Sequence, residues 1–147
     1  MAESVASDAA TQQRPIRPGL FVEAGETRAR PRLLGSRCRK TGQLFWPAER
    51  MNPVTHESGT MEPAEIEGGG HIVSYTVVQR GLPGYPSPYA IAAIQLDAGP
   101  SLIAQLEDWQ GAALRTGMAV RLVIGTIRTE RDGTRVTGPK FQPVVDT

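Results

Sequence analysis

A tight turn around the single cysteine constrains this chain of 147 residues more than any other feature. Residues 33–47 have the pattern strand, turn, strand, and the turn at 38–42 has the sequence CRKTG. In a Cys-x-x-Cys-Gly turn, two thiolates point at one Zn²⁺, but here Thr41 stands in place of the second cysteine. Residues 52–55, NPVT, have the spacing of a second such knuckle, with Asn52 and Thr55 in place of thiolates.

Three of the four positions that would ligate zinc therefore carry neutral oxygen side chains, which bind Zn²⁺ poorly. We expect two metal-free knuckles that keep their scaffold, with no metal ligands and no cofactor. The simpler interpretation is that Cys38 is a small buried hydrophobic residue in an ordinary hairpin. The segments that follow the hairpin, described below, favour the degenerate knuckle.

Length and composition set broad limits on the chain. It fits one domain, or one small module attached to a domain of about 80 residues. No run approaches the roughly 18 apolar residues of a membrane span, and residues 1–8 lack the basic segment that leads into the apolar part of a signal peptide. With one cysteine, an internal disulfide framework is excluded. We expect a cytoplasmic protein that does not associate with a membrane.

The charge is distributed unevenly along the sequence. Residues 1–50 carry a net charge of +4 and residues 51–147 a net charge of −3, which together give the overall +1. A basic N-terminal third suits the phosphates of nucleic acid or of coenzyme A, or an acidic partner surface. A solvated, arginine-rich flank is the alternative.

Changes in composition divide the chain into three parts. Residues 1–30 are predicted to be a disordered or extended N-terminal segment, because residues 1–18 show no apolar periodicity. Residues 31–67 comprise the knuckle module and an irregular connector. Residues 68–147 form the second domain, and the GGG run at 68–70 is predicted to be a flexible hinge before it.

The second domain is predicted to be all β, apart from one helical turn. β-branched and apolar runs predict strands at 72–80, 89–96, 101–106, 118–129 and 134–144, and the DG pair at 132–133 predicts the last hairpin turn. Asp108 is a candidate cap for a short helical turn within 108–117. Five strands with a helical turn between the third and fourth outline an OB barrel, although a small β-sandwich fits the same pattern.

Four segments, in this order, carry a resemblance to a known family. They are LGSRCRKTG at 34–42 leading to FWP at 45–47, VSYTVV at 73–78, LPGYPSPY at 82–89 and LRTGMAV at 114–120. Over roughly residues 31–145 the chain resembles the bacterial and archaeal zinc-ribbon-plus-OB proteins that accompany thiolase-like enzymes. The resemblance implies a mostly β fold, in which a small rubredoxin-like ribbon module precedes a five-stranded OB barrel. The family's knuckle cysteines match here only at Cys38, so the ribbon is degenerate.

The resemblance also implies a function. Members of that family are generally not catalysts alone, and they form complexes with a thiolase-fold subunit that handles acyl-CoA thioesters. The chemistry of such complexes includes Claisen condensation or cleavage, acyl transfer, and retro-aldol cleavage of a side-chain acyl-CoA during steroid breakdown. By resemblance, this chain is a non-catalytic accessory subunit of a hetero-oligomer whose partner supplies most of the acyl-CoA site.

The residues themselves offer no obvious catalytic set. Arg37, Arg39 and Lys40 would favour a Cys38 thiolate, and His56 is the nearest candidate base in sequence. However, no oxyanion-forming loop is evident and nothing holds His56 beside the turn, so we expect a structural cysteine and no catalytic residues. A metal site that combines Cys38 and His56 with a carboxylate such as Glu57 is supported equally weakly.

The loop at 82–89 is the best candidate for a partner surface. Its prolines restrict the backbone and so lower the entropy lost on docking, and its tyrosines and leucine are suitable anchors. The alternative is that the tyrosines fold back onto the core. Phe45 and Trp46 are further candidates, although the small hairpin also needs a core of its own. The predicted interface residues are Leu82, Pro83, Tyr85, Pro86, Tyr89, Phe45 and Trp46.

A rival function is single-stranded nucleic-acid binding by the OB barrel. Such proteins place aromatic side chains on the barrel face and basic residues along a groove. Residues 71–147 have a net charge of only +1, and their strand aromatics are Tyr75, Tyr89 and Phe141. So low a charge and so few aromatics are weak evidence for a surface that binds a phosphate backbone. Nucleic acid is therefore the less favoured partner.

Overall fold

The computed structural model describes residues 12–144, which form ten β-strands and no helix. Strands β2 to β5 build a small sheet, and strands β6 to β10 build a barrel onto which β1 is added. The strands are β1 (Gln13–Pro15), β2 (Phe21–Val22), β3 (Arg32–Cys38), β4 (Leu44–Phe45), β5 (Met61–Ile66), β6 (Gly69–Val78), β7 (Tyr89–Leu96), β8 (Ser101–Leu106), β9 (Ala119–Thr129) and β10 (Arg135–Pro143).

The five strands of the second domain close into a barrel. Strand β7 pairs antiparallel with β6 and β8, β9 pairs antiparallel with β6 and β10, and β8 pairs parallel with β10. The path β6-β7-β8-β10-β9 therefore returns to β6 and leaves no open edge in this ring. This closure confirms the OB-like barrel and excludes two separate stacked sheets.

One hydrophobic core joins the two modules. Residues on β7 alternate between buried and half-buried along the whole strand, the period expected when one face of a strand covers a core. The buried cluster continues from the barrel into the β2–β5 sheet, so the two modules pack as one body. Its members include Ile72, Ala90, Ala92, Ile94, Leu96, Val120, Leu122 and Phe141 from the barrel and Leu33 and Ile66 from the smaller sheet.

The predicted helical turn between the third and fourth barrel strands is wrong. Residues 107–118 run as turns and bends instead, and Asp108 has a φ of +49°, whereas a helix cap requires an extended backbone. So short a segment gains too few hydrogen bonds to offset helix nucleation. Its Trp109 and Leu114 pack against the core, which holds the segment in place without a helix.

The predicted glycine hinge at 68–70 is also wrong. Strand β6 begins within this run, and Gly69 and Gly70 pair with Arg121 and Val120 of β9. A Cβ added to Gly70 would lie 2.5 Å from the carbonyl oxygen of Gln95, and one added to Gly68 would overlap the side chain of Leu122. The glycines are therefore required by the close approach of neighbouring strands rather than by flexibility.

The connector between the knuckle hairpin and the barrel is more regular than predicted. Within residues 48–67, strand β5 pairs with β3 over six residues, from Leu33↔Ile66 to Cys38↔Met61. The expected hairpin partner β4 pairs with β3 over only two residues. The main partner of the cysteine strand therefore lies more than twenty residues further along the chain.

Part of the N-terminal segment 1–30 is ordered against both modules. Residues 1–11 lie outside the described range. Strand β1 pairs in parallel with β10, Ile16 N donates to the carbonyl of Thr137 at 2.7 Å, and Arg14 forms an ion pair with Glu130. Strand β2 pairs with β3. In residues 13–22 the chain is thus extended at β1 and β2 and hydrogen-bonded to its neighbours.

Candidate functional site

The structure brings the two sequence knuckles together around Cys38. Gly42 N donates to the carbonyl of Cys38 at 2.7 Å and closes the first turn, and His56 N donates to the carbonyl of Asn52 at 2.8 Å and closes the second. The side chains of Cys38 and Asn52 are both buried, at 1% and 0% exposure. This arrangement favours the degenerate knuckle over the interpretation of an ordinary hairpin cysteine.

Asn52 holds the second knuckle without a thiolate. Its Oδ1 accepts hydrogen bonds from the backbone N–H groups of Val54, at 2.8 Å, and Thr55, at 3.1 Å, as an Asx turn does. Its Nδ2 is buried and has no partner in hydrogen-bond geometry within residues 12–144. The amide therefore satisfies the turn with a neutral oxygen and leaves a buried donor beside the cysteine.

The surroundings of Cys38 stabilise its thiolate form. Its Sγ lies 3.5 Å from Thr60 Oγ1, and this hydroxyl is the largest cause of a pKa lowered from 9.0 to about 6. Thr41 and the nearby amide of Asn52 also lower the pKa, while burial raises it. The neutral donors around the sulfur therefore favour the thiolate form of Cys38.

These residues do not fit zinc. Structural zinc sites use four thiolate or imidazole ligands, and this site supplies one sulfur. Asn52 Oδ1 is already engaged with two backbone donors, and nowhere in the part of the chain that the structure describes do three His, Cys, Asp or Glu side chains come together as a metal site would require. That the protein carries no zinc stays a prediction, tested in the Discussion.

The structure gives no support to a Cys38–His56 nucleophilic pair. His56 has a φ of +64°, and in the described chain no hydrogen bond joins its ring to Cys38. The basic neighbours of the cysteine are also engaged elsewhere, since Lys40 Nζ lies 2.6 Å from Glu57 Oε2 and Arg39 donates to the carbonyl of Gly59. Cys38 is buried, and its structural role stays a prediction.

The predicted docking loop, residues 82–89, stands at the end of the barrel where β6 and β7 are joined. It is held by hydrogen bonds from Gly81 N to Ser87 Oγ and from Thr129 N to the carbonyl of Gly84, both at 2.9 Å. The rings of Tyr85 and Tyr89 are 6.0 Å apart between centroids. Both tyrosines are half-buried, whereas Leu82 is 71% exposed and Pro83 and Pro86 are exposed.

Phe45 and Trp46 lie at the other end of β7 from this loop. Together with residues 98–101, in the β7–β8 turn, they line one cavity. Trp46 Nε1 donates to the carbonyl of Leu20 at 2.9 Å, and its half-buried ring packs against the core. The seven predicted interface residues therefore form two separate surfaces, and their role as an interface stays a prediction.

The barrel aromatics do not form the platform expected of a single-strand binder. Phe141 is fully buried. Tyr75 is 40% exposed and its hydroxyl donates to the carbonyl of Leu114 at 2.9 Å. Tyr89 packs beside Tyr85 in the loop. Two partly exposed strand tyrosines, one of them packed beside Tyr85, offer little surface for stacking bases.

A basic cleft between the two modules was not predicted from the sequence. It has a volume of about 310 Å³ and gathers arginines from segments that are far apart in the chain. The net positive charge of residues 1–50 was its sequence signal. That charge does not show that Arg30 and Arg32 lie near Arg121 in the folded chain. We call this feature the arginine cleft; its lining residues are Arg30, Pro31, Arg32, Glu67, Gly68, Gly69, Arg121, Leu122 and Val123.

Comparison with known families matches both modules. Residues 26–51 match the model of the ChsH2 rubredoxin-like zinc ribbon domain, and residues 64–125 match the model of the ChsH2 C-terminal OB-fold domain. No helix in residues 12–144 is long and apolar enough to cross a membrane.

Similar proteins extend over most of the chain. A DUF35 domain-containing scaffold protein of Pyrococcus furiosus is 33% identical over 121 residues, 80% of this chain and 88% of that protein. The benzoylsuccinyl-CoA thiolase subunit BbsA of Thauera aromatica is 32% identical over 128 residues, 86% of each chain. The solved Ltp2-ChsH2(DUF35) aldolase is 27% identical with a TM-score of 0.61, over 78% of this chain and 86% of that one. This chain therefore belongs to the DUF35 family of proteins that join a rubredoxin-like zinc ribbon to a C-terminal OB fold.

Proposed function

We propose that this chain is a non-catalytic accessory subunit of a thiolase-like enzyme complex that acts on acyl-CoA thioesters. The observation that carries the proposal is a rigid, apolar loop presented at the barrel end by a chain whose one nucleophilic thiol is buried. The names of its relatives support it, since they include a thiolase subunit, an aldolase complex and scaffold proteins. As an accessory subunit, the chain contributes a binding surface for its partner rather than a reacting group.

The docking loop is suited to hold a partner. Two hydrogen bonds anchor it to its own barrel, so little backbone freedom is lost when a partner binds. Leu82 extends into solvent, and the neighbouring tyrosines are of the residue type that is enriched among binding hot spots. An apolar group on a rigid loop gains free energy when a partner covers it.

The partner supplies the reacting groups and most of the acyl-CoA site. Claisen condensation or cleavage, acyl transfer and retro-aldol cleavage, including cleavage of a steroid side chain, are the reactions within this proposal. A cytoplasmic location belongs to it as well, because a single free cysteine suits a reducing compartment.

Turnover measurements test the division of labour. A thiolase-like protein from the same organism, taken first from a neighbouring gene, is assayed on acyl-CoA thioesters with and without this chain. We expect no turnover by this chain alone and greater activity of the partner when the chain is present. Turnover by this chain alone that is lost in Cys38→Ser would contradict the proposal, because it would make the buried thiol catalytic.

A further inference from the structure

A groove on the outer face of the barrel has an almost entirely apolar lining. Its volume is about 300 Å³, and nine of its ten lining residues are apolar. Ile91 lies between the buried Ala90 and Ala92 on β7, so its side chain points away from the barrel core. We call this feature the apolar groove; its lining includes Ile16, Leu20, Trp46, Ile91, Ile103 and Ile127.

The apolar groove exposes hydrophobic surface that the chain itself leaves uncovered. Ile103 is 75% exposed and Leu82 of the docking loop is 71% exposed, and these are the two most exposed large apolar side chains in residues 12–144. Among the lining residues only Gln105 carries a polar side chain without a partner, because its Oε1 is buried and accepts no hydrogen bond within the described chain. A contiguous apolar surface of this kind is typical of an interaction site.

The walls of the apolar groove are fixed by contacts within the chain. Trp46 Nε1 donates to the carbonyl of Leu20 at 2.9 Å, which ties two lining residues together. A Cβ added to Gly138 would lie 3.0 Å from Ile127 and 3.1 Å from Ile16, so both isoleucines pack directly on the β10 backbone. The groove is therefore formed before anything binds, and filling it costs little ordering entropy.

The apolar groove connects the two separate surfaces that hold the predicted interface residues. Tyr89 ends the docking loop and begins β7, and its side chain points to the same face as that of Ile91, about 7 Å further along the strand. At the other end, Trp46 borders both the groove and the cavity that Phe45 lines. The loop, the groove and the Phe45–Trp46 surface thus follow one another along β7.

We propose that the thiolase-like subunit inserts an apolar segment into the apolar groove. The inference rests on the proposed function and names the surface that carries the assembly. A small ligand could fill the groove but would leave Leu82 in water, whereas a protein interface of standard size covers about 800 Å² on each partner and reaches both. The inserted segment also supplies a hydrogen-bond donor to Gln105 Oε1, since an unpartnered buried acceptor is costly.

A second copy of this chain fits the groove poorly. Copies related by a two-fold axis present the same patch to each other. Two concave apolar grooves would then face one another and leave space that no side chain fills, whereas protein interiors are close-packed. The occupant is therefore a convex segment of a different chain.

The dissociation constant of the complex with the thiolase-like protein from a neighbouring gene tests the proposal. Ile103→Glu should weaken binding about a hundredfold, because an unpaired carboxylate is costly in an apolar contact, while Ile103→Leu should bind as the parent does. Val54→Glu is the matched control: Val54 is 65% exposed on the second knuckle, and binding should stay within about twofold. Circular dichroism checks that each variant is folded.

Fluorine NMR gives a readout inside the groove. The chain has two tryptophans, so 5-fluorotryptophan incorporated into this chain alone gives two resonances, and Trp109→Phe assigns them. We expect the Trp46 resonance to shift when the partner is added. The Trp109 resonance should stay in place, because Trp109 does not line the groove.

Equal losses in Ile103→Glu and Val54→Glu, or an unshifted Trp46 resonance in the complex, would overturn the proposal. So would dimers of this chain alone that Ile103→Glu dissociates, which assign the groove to a second copy, or a saturable Trp46 shift with decanoic acid alone, which assigns it to a small ligand. In all these cases the subunit can still assemble elsewhere on the chain. If the unmodified chain forms no complex at all, the proposed function itself fails, so the two failures are distinguishable.

Discussion

Asn52 shows how a knuckle can keep its shape after its metal ligands are replaced. One amide oxygen accepts two backbone hydrogen bonds that close the turn, and the amide nitrogen is left beside the Cys38 sulfur. Thr60, Thr41 and Asn52 then lower the pKa of the thiol to about 6. These neutral donors thus favour the thiolate form at the centre of the site. The replaced ligand positions could be identified from the sequence. The contact with Thr60 could not, because Thr60 lies twenty-two residues from Cys38 in the sequence.

The stability of the protein should depend on pH through Cys38. In the folded chain the thiol has a pKa of about 6, against 9.0 for an ordinary thiol, so between these values the unfolded chain binds more protons. The free energy of unfolding should therefore rise from pH 6 to pH 9. Urea unfolding across this range is the measurement, and in Cys38→Ser the rise should be smaller. An identical slope in both proteins would contradict a folded-state thiolate.

Elemental analysis tests the metal-free site. We expect far less than one zinc per chain in the purified protein, because one thiolate with neutral oxygens binds Zn²⁺ weakly. The triple variant Thr41→Cys, Asn52→Cys, Thr55→Cys restores four thiolates at knuckle spacing and should take up about one zinc per chain. Stoichiometric zinc in the unmodified protein would refute the prediction.

At the scale of elements, strands were predictable from the sequence where residues of the two faces alternate clearly. They were missed where the pairing strand lies far away in the sequence. Strand β7 alternates in burial over its whole length, as its apolar residues indicated. Strand β5 contains Pro63 and two glutamates, and its pairing with β3 spans the whole second knuckle. The glycine run at 68–70 suggested a hinge because close strand approach has no sequence signature distinct from that of flexibility.

The docking loop carries the element-scale prediction. Tyr85→Ala should weaken assembly with the thiolase-like subunit by about 1–3 kcal/mol, the loss expected for a buried aromatic anchor. The binding constant is measured by titration calorimetry, and circular dichroism checks that the chain stays folded. Tyr85→Phe is the matched control and should bind as the parent does, because the hydroxyl has no hydrogen bond within the described chain.

Two other results for Tyr85→Ala would be informative. An unchanged binding constant would show that the loop is only a barrel connection. Loss of the fold would show that Tyr85 belongs to the core.

At the scale of the whole molecule, ribbon and barrel behave as one body because they share a core. Leu33 and Ile66 of the small sheet belong to the same buried cluster as Ile72 and Phe141 of the barrel. The sequence predicted both modules and their order, but not this continuity. The arginine cleft was missed for the same reason, because it exists only where the two modules meet.

Ile66→Ala tests the shared core. Ile66 is 1% exposed, and its truncation should lower the free energy of unfolding by about 2–5 kcal/mol. The barrel and the ribbon should still unfold in one transition, seen by tryptophan fluorescence (Trp46 in the ribbon module, Trp109 in the barrel) and by circular dichroism. Two separate transitions, with the barrel as stable as before, would show that the modules are independent.

The central claim is that this chain works by assembly with a thiolase-like subunit. Sedimentation velocity of the two purified proteins, alone and mixed, tests it most directly. The account predicts that the mixture contains a larger species in which both proteins sediment together. It is contradicted if each protein in the mixture sediments as it does alone.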